Sequence, residues 1–254
     1  MRVVSLVPSW TETLIACGVN VVGRTRFCVH PAEAVAGIPV VGGTKDLKRA
    51  ELEALAPDLV ILDKEENLAF MADANAPWRT VVTHVESADD VPRELSALAF
   101  LLRNQILSEL AREWKEVLSH PRYPDQKVKD LPGVLSWIRR PIAEPKTLLY
   151  LIWRSPWMAI SRDTFIGSVL CHFGVGGRIP AFAEKYPKLD LGTYDPATTL
   201  LLFSSEPYPF EPKSLELAAL GFPAAIVDGE AYSWFGIRAL RFLQQSSSVI
   251  ASED

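Results

Sequence analysis

Two stretches of alternating strand and helix signals, one at each end of the chain, constrain the fold more than any other feature. In the first third, short apolar runs predict strands, and the segments between them predict helices. The predicted strands are Arg2–Val7, Val21–Arg24, Asp58–Leu62 and Thr80–His84, and the predicted helices are Trp10–Cys17, Leu47–Leu55 and roughly Glu65–Asn75. Because strand and helix alternate, we expect a parallel sheet with right-handed crossovers.

The same alternation returns in the last third of the chain. Pro212 stands in the first turn of one helix and Gly221 just past its end, the usual positions of these residue types. The predicted strands are Thr147–Trp153, Thr199–Ser204 and Ala224–Asp228, and the predicted helices are Asp163–Phe173, Pro212–Leu220 and about Ser233–Gln245. The predicted fold class is therefore α/β, with two Rossmann-like lobes built on central parallel sheets.

Between these stretches lies one long helical pattern. Apolar residues recur at steps of three and four from Val91 to Val117, with no glycine or proline after Pro92. About eight turns make a rod of about 45 Å, too long for one small lobe, so we predict a backbone helix that bridges two lobes. The predicted domains are residues 1–86 as the N-terminal α/β lobe, residues 87–119 as the linking helix, and residues 120–254 as a surface connection (His120–Pro145) and the C-terminal α/β lobe.

Composition narrows the class of protein. The 254 residues are 48% hydrophobic and 22% charged, which is ordinary for a globular protein, and the apolar runs are too short to insert into a membrane. A net charge of -5 argues against nucleic acid as a partner. The three cysteines, Cys17, Cys28 and Cys171, form no C-x-x-C motif and cannot all pair, which suits a reducing compartment.

The first residues lead directly into a strand, a turn and a helix. Ser9 and Glu12 have the spacing of a capping box at the start of that helix, and Gly18 is placed to end it with a positive φ. No charged and apolar regions of an export signal come before the strand. We therefore expect a cytoplasmic protein; an upstream start codon that encodes a signal would place it in the periplasm instead.

Four segments together resemble a known family. They are Leu6–Thr13 (LVPSWTET), Val22–Pro31 (VGRTRFCVHP), Val41–Gly43 and Leu55–Ile61 (LAPDLVI). In order and spacing they are similar to class III periplasmic-binding-type proteins, also called helical-backbone metal receptors, which include the cobalamin- and iron-siderophore-binding proteins of ABC importers. The resemblance implies two lobes, a stiff linking helix, and a corrinoid, tetrapyrrole or metal–siderophore chelate held as ligand in the cleft between the lobes, with no required cofactor.

The resemblance also bears on an ABC permease as partner. Members that work with a permease usually carry one exposed glutamate per lobe, which docks onto arginines of the permease. The corresponding positions fall near Ala69 and Ser233, and neither residue is acidic. Glu65, Glu66 and Glu230 lie close by in the sequence, but the matched register does not predict permease docking.

The residues that follow the predicted strands are rich in aromatic and basic side chains. Ligands of open α/β folds bind at the carboxyl ends of the strands. Aromatic faces suit planar or apolar ligands, and arginine pairs with carboxylate or phosphate. The alternative is that tryptophans such as Trp153 and Trp157 only cover a core. The candidate ligand-binding residues are Ser9, Trp10, Arg26, Phe27, Lys45, Lys64, Trp153, Arg154, Trp157, Glu206, Tyr208, Glu230, Trp234 and Arg238.

Two further hypotheses concern metal binding and catalysis. Cys28 and His30 could place a thiolate and an imidazole on one side of an extended segment, although two ligands do not complete a zinc site. The alternative there is a buried thiol beside a hydrogen-bonded histidine. The chain has no G-x-S-x-G elbow, P-loop or G-x-G-x-x-G motif, so no catalytic residue is predicted and a binding protein is favoured. The rival hypothesis is a cytoplasmic enzyme on the same scaffold that uses the cleft carboxylates Glu65, Glu66, Glu206 or Glu230.

Overall fold

The computed structural model describes residues 1–73, 75–120 and 126–250, with side chains described up to residue 246. The chain divides into two compact units. The first unit spans Met1–Ser119 and Trp234–Asp254, and the second spans His120–Ser233. The predicted second lobe, residues 120–254, therefore ends earlier in the structure than in the sequence analysis.

Strands and helices alternate through both units. The strands are β1 (Val3–Ser5), β2 (Val21–Arg24), β3 (Leu59–Asp63), β4 (Arg79–Thr83), β5 (Val134–Arg139), β6 (Thr147–Trp153), β7 (Trp157–Ala159), β8 (Lys188–Leu189), β9 (Thr199–Ser204) and β10 (Ala224–Val227). The helices are α1 (Pro8–Ala16), α2 (Ala32–Val35), α3 (Arg49–Ala54), α4 (Val91–Leu102), α5 (Gln105–Ser119), α6 (Phe165–His172), α7 (Ser214–Ala218), α8 (Gly229–Ser233) and α9 (Ile237–Ile250).

The sheet of the first unit has the order β2-β1-β3-β4, and each neighbouring pair is parallel. All five residues of β3 are buried, as expected of a central strand that is covered on both faces. Gly23 in β2 leaves room for α3 to pack closely, because a Cβ there would lie 2.6 Å from the side chain of Leu55. The predicted parallel sheet is confirmed.

The sheet of the second unit has the order β5-β10-β9-β6-β7-β8. Its central strands β10, β9 and β6 are parallel, and β5, β7 and β8 pair antiparallel at the two edges. Every residue of β9 is buried. The α/β class is therefore confirmed, with antiparallel edge strands that the sequence analysis did not predict.

The prediction of a single bridging helix is wrong. α4 ends at Leu102, Arg103 takes a left-handed conformation with φ 50° and ψ 45°, and α5 begins at Gln105. Asn104 caps α5, since its Oδ1 accepts from the N–H of Leu107 at 3.0 Å. The two helices pack against each other as a helical hairpin. Each helix buries an apolar face, so the apolar periodicity of the sequence continues across the break. The break itself falls at Arg103 and Asn104, with no glycine or proline to indicate it.

The predicted capping box at Ser9 is also wrong. α1 starts at Pro8 with Val7 as the capping residue, so Ser9 lies inside the first turn. Proline is favoured at the first helical position because the N–H that it lacks would have no partner there. The carboxylate of Glu12 instead pairs with Arg238. Gly18 follows the end of α1 and takes the predicted positive φ, 72°.

Two other predicted segments differ from the structure. In place of a helix over Glu65–Asn75, the described residues hold a single 3₁₀ turn at Ala69–Met71. Asn67 directs the chain into a loop, because its side chain accepts from the N–H of Asp63 and donates to two carbonyl oxygens of neighbouring segments. The predicted surface connection His120–Pro145 contains β5, an edge strand; its residues 121–125 lie outside the described residues.

The last helix belongs to the first unit. α9 packs on α1 and α5. The indole N–H of Trp114 donates to the carbonyl of Gly236 at 3.0 Å, and the N–H of Ile237 donates to Thr13 Oγ1 at 3.0 Å. Among the described residues, no helix combines the length and the apolar character that crossing a membrane requires.

Candidate functional site

A chain of buried hydrogen bonds links the carboxyl ends of β3 and β4 to α1. Trp10 Nε1 donates to Thr83 Oγ1 at 2.8 Å, and Thr83 Oγ1 donates to Asp63 Oδ2 at 2.7 Å. Asp63 is fully buried, and burial raises the pKa of its carboxyl group against the hydrogen bond from Thr83. Trp10 is fully buried, and Ser9 almost so. The structure therefore places these two candidates in the core of the first unit.

Exposed candidates surround this buried chain. Arg26 forms a bidentate pair with Asp46 at 3.0 and 2.5 Å, and its guanidinium lies 5.0 Å from the ring centre of Phe27. Phe27 is 49% exposed. Lys45 Nζ donates to the backbone oxygen of Glu65 at 3.4 Å. Arg26, Phe27, Lys45 and Lys64 are thus all accessible in loops next to the strand ends of the first unit.

Arg238 and Trp234 have partners within the first unit. Arg238 donates through Nε and Nη2 to the two carboxylate oxygens of Glu12, each at 2.8 Å. Its guanidinium also lies 5.2 Å from the ring centre of Trp234. Trp234 is buried and meets the ring of His30 edge-on at 5.4 Å. The charge of Arg238 is therefore balanced by Glu12 within the unit.

Cys28 and His30, the two candidate metal ligands, contact different residues. Cys28 is fully buried, and its Sγ lies 3.1 Å from the hydroxyls of Thr11 and Thr25. Burial raises the pKa of this thiol, which disfavours the thiolate that a metal would need. The described residues form no three-ligand cluster that contains either residue. These contacts favour the buried thiol that the sequence analysis left as the alternative.

The second unit brings its candidates together as an aromatic cluster, which we define as Trp153, Trp157, Phe203, Tyr208 and Phe210. Trp153 meets Tyr208 edge-on with ring centres 5.3 Å apart, and Tyr208 lies 4.5 Å from Phe210. Trp157 stacks on Phe210 with 10° between the ring planes. Phe203 and Phe210 are buried, whereas Trp153 at the end of β6 is 43% exposed. The cluster therefore joins the core of the unit to an accessible aromatic face.

Charged residues flank the aromatic cluster. Arg154 Nη1 donates to Glu216 Oε2 at 2.6 Å, and its guanidinium lies 5.5 Å from the ring centre of Trp157. Arg154 lowers the pKa of the Glu216 carboxyl group. Glu206 Oε1 accepts from the hydroxyl of Ser233 at 3.3 Å, and Glu230 lies half-buried in α8.

Sequence reasoning missed the acidic partners of the candidate arginines. These partners are distant in sequence: Arg26 pairs with Asp46 over 20 residues, Arg154 with Glu216 over 62, and Arg238 with Glu12 over 226. No local sequence pattern predicts such pairs. Sequence reasoning also missed Asp63 and Thr83, the polar last residues of β3 and β4, of which Asp63 ends an otherwise apolar run. A polar residue that ends such a run is the one available signal.

Comparisons with solved protein structures identify the fold of the chain. No family model matches the chain, and no curated protein matches it. Solved structures do match. The periplasmic heme-binding protein RhuT from Roseiflexus sp. RS-1 is 21% identical with a TM-score of 0.70, over 98% of this chain and 97% of that chain. The periplasmic vitamin B12 binding protein BtuF of Vibrio cholerae is 14% identical with a TM-score of 0.68, over 100% of this chain and 98% of that chain.

A third similar structure is an ABC transporter substrate-binding protein from Listeria monocytogenes EGD-e, 13% identical with a TM-score of 0.70 over 97% of each chain. The chain therefore has the fold of class III periplasmic binding proteins, as the sequence resemblance predicted.

Proposed function

We propose that this chain is a ligand-binding protein that holds a corrinoid, a tetrapyrrole such as heme, or a metal–siderophore chelate. The observation that carries the proposal is the aromatic cluster at the strand ends of the second unit, with Trp153 accessible and Arg154 beside it. An exposed aromatic face binds a planar apolar ring, and a guanidinium binds an acidic group on its periphery. The heme- and vitamin B12-binding structures of the same fold support this ligand class.

The first unit offers a second set of contacts of the same chemistry. Phe27 and Phe70 are exposed in loops that follow β2 and β3. Arg26, Lys45 and Lys64 supply positive charge in the same loops. Because Asp46 already pairs with Arg26, an anionic ligand group must compete with that carboxylate, whereas Lys64 is exposed in the loop after β3.

Binding accounts for the strand-end residues better than catalysis does. Glu206 accepts a hydrogen bond from Ser233, and Glu65 faces His84 at 3.5 Å, so each of these carboxylates has a partner within its own unit. The structures of the same fold are described as binding proteins. We therefore propose a non-enzymatic function.

We also propose that the protein acts in the cytoplasm without a permease. The support for the location is that Cys17, Cys28 and Cys171 form no disulfide in the structure. The support for the missing partner is that Ala69 and Ser233 stand at the positions expected of docking glutamates. Protein taken directly from cells, alkylated at once and unfolded, should show three modified cysteines by mass spectrometry. A disulfide, or an exported mature form, would overturn the location.

Optical titration tests the proposed function. Hemin, cyanocobalamin and a ferric hydroxamate are each added to the purified protein while tryptophan fluorescence and visible absorbance are followed. We expect one of the three to bind saturably with one site per chain, and Trp153→Ala to weaken it. Binding of all three without saturation, or of none, would contradict the proposal.

A further inference from the structure

A histidine and two glutamates converge at the strand ends of the first unit. Glu65, His84 and Glu86 each offer one ligand atom, and these three atoms lie within 4.8 Å of one another. His84 Nε2 is 3.5 Å from Glu65 Oε1 and 3.3 Å from Glu86 Oε2. We propose that these three residues bind one divalent transition-metal ion, and that they do so without the proposed chelate ligand.

The distances around His84 suit a metal better than they suit hydrogen bonds. His84 Nε2 is shielded from solvent and has no hydrogen-bond partner among the described residues. Nitrogen and oxygen ligands of zinc lie about 2.0–2.2 Å from the ion, so two ligands at the tetrahedral angle are about 3.3–3.6 Å apart. The two observed separations fall in this range. A metal ion would satisfy the buried ring nitrogen, which otherwise carries a desolvation penalty.

The backbone beneath each ligand is already fixed. The N–H of Glu65 donates to Asp63 Oδ1 at 2.9 Å, and the N–H of Glu86 donates to Asp90 Oδ2 at 3.1 Å. The carbonyl of His84 accepts from Arg93 Nη2 at 3.1 Å. Partners that hold the ligand residues in place are a general feature of metal sites.

The parallel sheet explains why residues distant in sequence meet here. β3 and β4 are neighbours, with Asp63 opposite Thr83. The N–H of Lys64 extends their ladder by donating to the carbonyl of Thr83 at 2.9 Å. Glu65 and His84 therefore leave adjacent strands at the same edge, one residue past this last bond and directly after β4.

Charge and ligand type indicate the class of ion. Two carboxylates and a neutral imidazole carry a charge that balances a divalent cation. One nitrogen and two oxygen ligands suit zinc, manganese or ferrous iron, whereas calcium and magnesium prefer oxygen alone. Among the cations near these ligands, Arg93 pairs with Asp90 and Glu94, and Lys45 donates to the backbone oxygen of Glu65. Three protein ligands leave a fourth position open for water or another donor.

Zinc binding tests the proposal on the full chain without any chelate. Zn²⁺ is titrated against a chromophoric indicator, and we expect one ion per chain. His84→Gln should weaken binding at least tenfold, as should Glu86→Gln. His30→Gln is the matched control, because it removes another half-buried imidazole of the same unit and should leave the affinity unchanged. Far-UV circular dichroism confirms that each variant is folded.

Two results would overturn the site. One is a wild-type affinity for Zn²⁺ equal to that of His84→Gln and Glu86→Gln. The other is loss of binding in His30→Gln with retention in His84→Gln, which would assign the ion to Cys28 and His30. Co²⁺ gives an independent readout: the proposed site predicts d–d bands without a thiolate charge-transfer band, whereas that band would place the ion on Cys28. Since no chelate is present, failure here leaves the test of ligand binding unaffected.

Discussion

In the first unit the strand ends rest on buried polar groups, whereas in the second they rest on packed aromatic rings. Trp10, Thr83 and Asp63 form a hydrogen-bonded chain in the first unit, and Glu12 holds Arg238 close by. In the second unit the aromatic cluster has the same place at the ends of β6 and β9. Directional bonds fix the first set of loops, and ring packing leaves Trp153 partly exposed in the second. Substitutions should therefore affect stability in the first unit and ligand binding in the second.

The largest expected effect comes from two tryptophans. Trp10→Ala removes a fully buried ring that bonds Thr83 and contacts Phe235, and should lower the free energy of unfolding by about 3–5 kcal/mol. Trp153→Ala, the matched control from the second unit, should lower it by about 1 kcal/mol or less because the ring is partly exposed. Urea denaturation measures both values. Equal losses of unfolding free energy in the two variants would contradict the proposed difference between the two units.

Two arginines sharpen the same comparison. The Glu12–Arg238 pair is bidentate, and the side chains of Glu12 and Arg238 are only 11% and 25% exposed, so Arg238→Ala should cost about 1.5–3 kcal/mol of stability. Arg154 bonds a largely exposed glutamate, so Arg154→Ala should change the unfolding midpoint little. Thermal melts of both variants at one salt concentration test this. A larger loss for Arg154→Ala would make that residue structural.

The smallest expected effect is the pH dependence caused by Asp63. Burial raises the pKa of its carboxyl group in the folded state. Such a group favours folding while it is protonated, and this stabilisation is lost as the pH rises through the folded pKa. The stability of Asp63→Asn relative to wild type should therefore increase from about pH 4 to about pH 8. Urea denaturation across that range shows it, and a difference independent of pH would mean that the carboxyl group titrates normally.

The predicted strands that match the structure to the residue are Val21–Arg24, Thr147–Trp153 and Thr199–Ser204. The last two are almost continuous in apolar residues, because central parallel strands are covered on both faces. The prediction of a single long helix failed because it, too, relied on the pattern of buried residues. Periodicity reports which face is buried, and it continues unchanged through Arg103 and Asn104, where one left-handed residue reverses the chain.

The candidate site was predictable only in part. Trp153 ends β6, Trp157 begins β7 and Tyr208 comes after β9, and the structure does bring these three residues together. Arg238 was predicted from the same rule, yet it pairs with Glu12, 226 residues away in the sequence. Strand-end position predicts which residues reach an edge, whereas the choice between ligand and internal partner depends on tertiary contacts.

The most direct test of the central claim is a parallel titration of wild type, Arg154→Ala and Trp153→Ala with hemin, cyanocobalamin and a ferric hydroxamate. We predict saturable one-site binding of one of them by wild type. Arg154→Ala should bind that ligand about 1.5–3 kcal/mol more weakly if its guanidinium makes a charge-assisted hydrogen bond to it, with the melting temperature of the free protein nearly unchanged. No saturable binding by wild type, or unchanged affinity in both variants, would contradict the account.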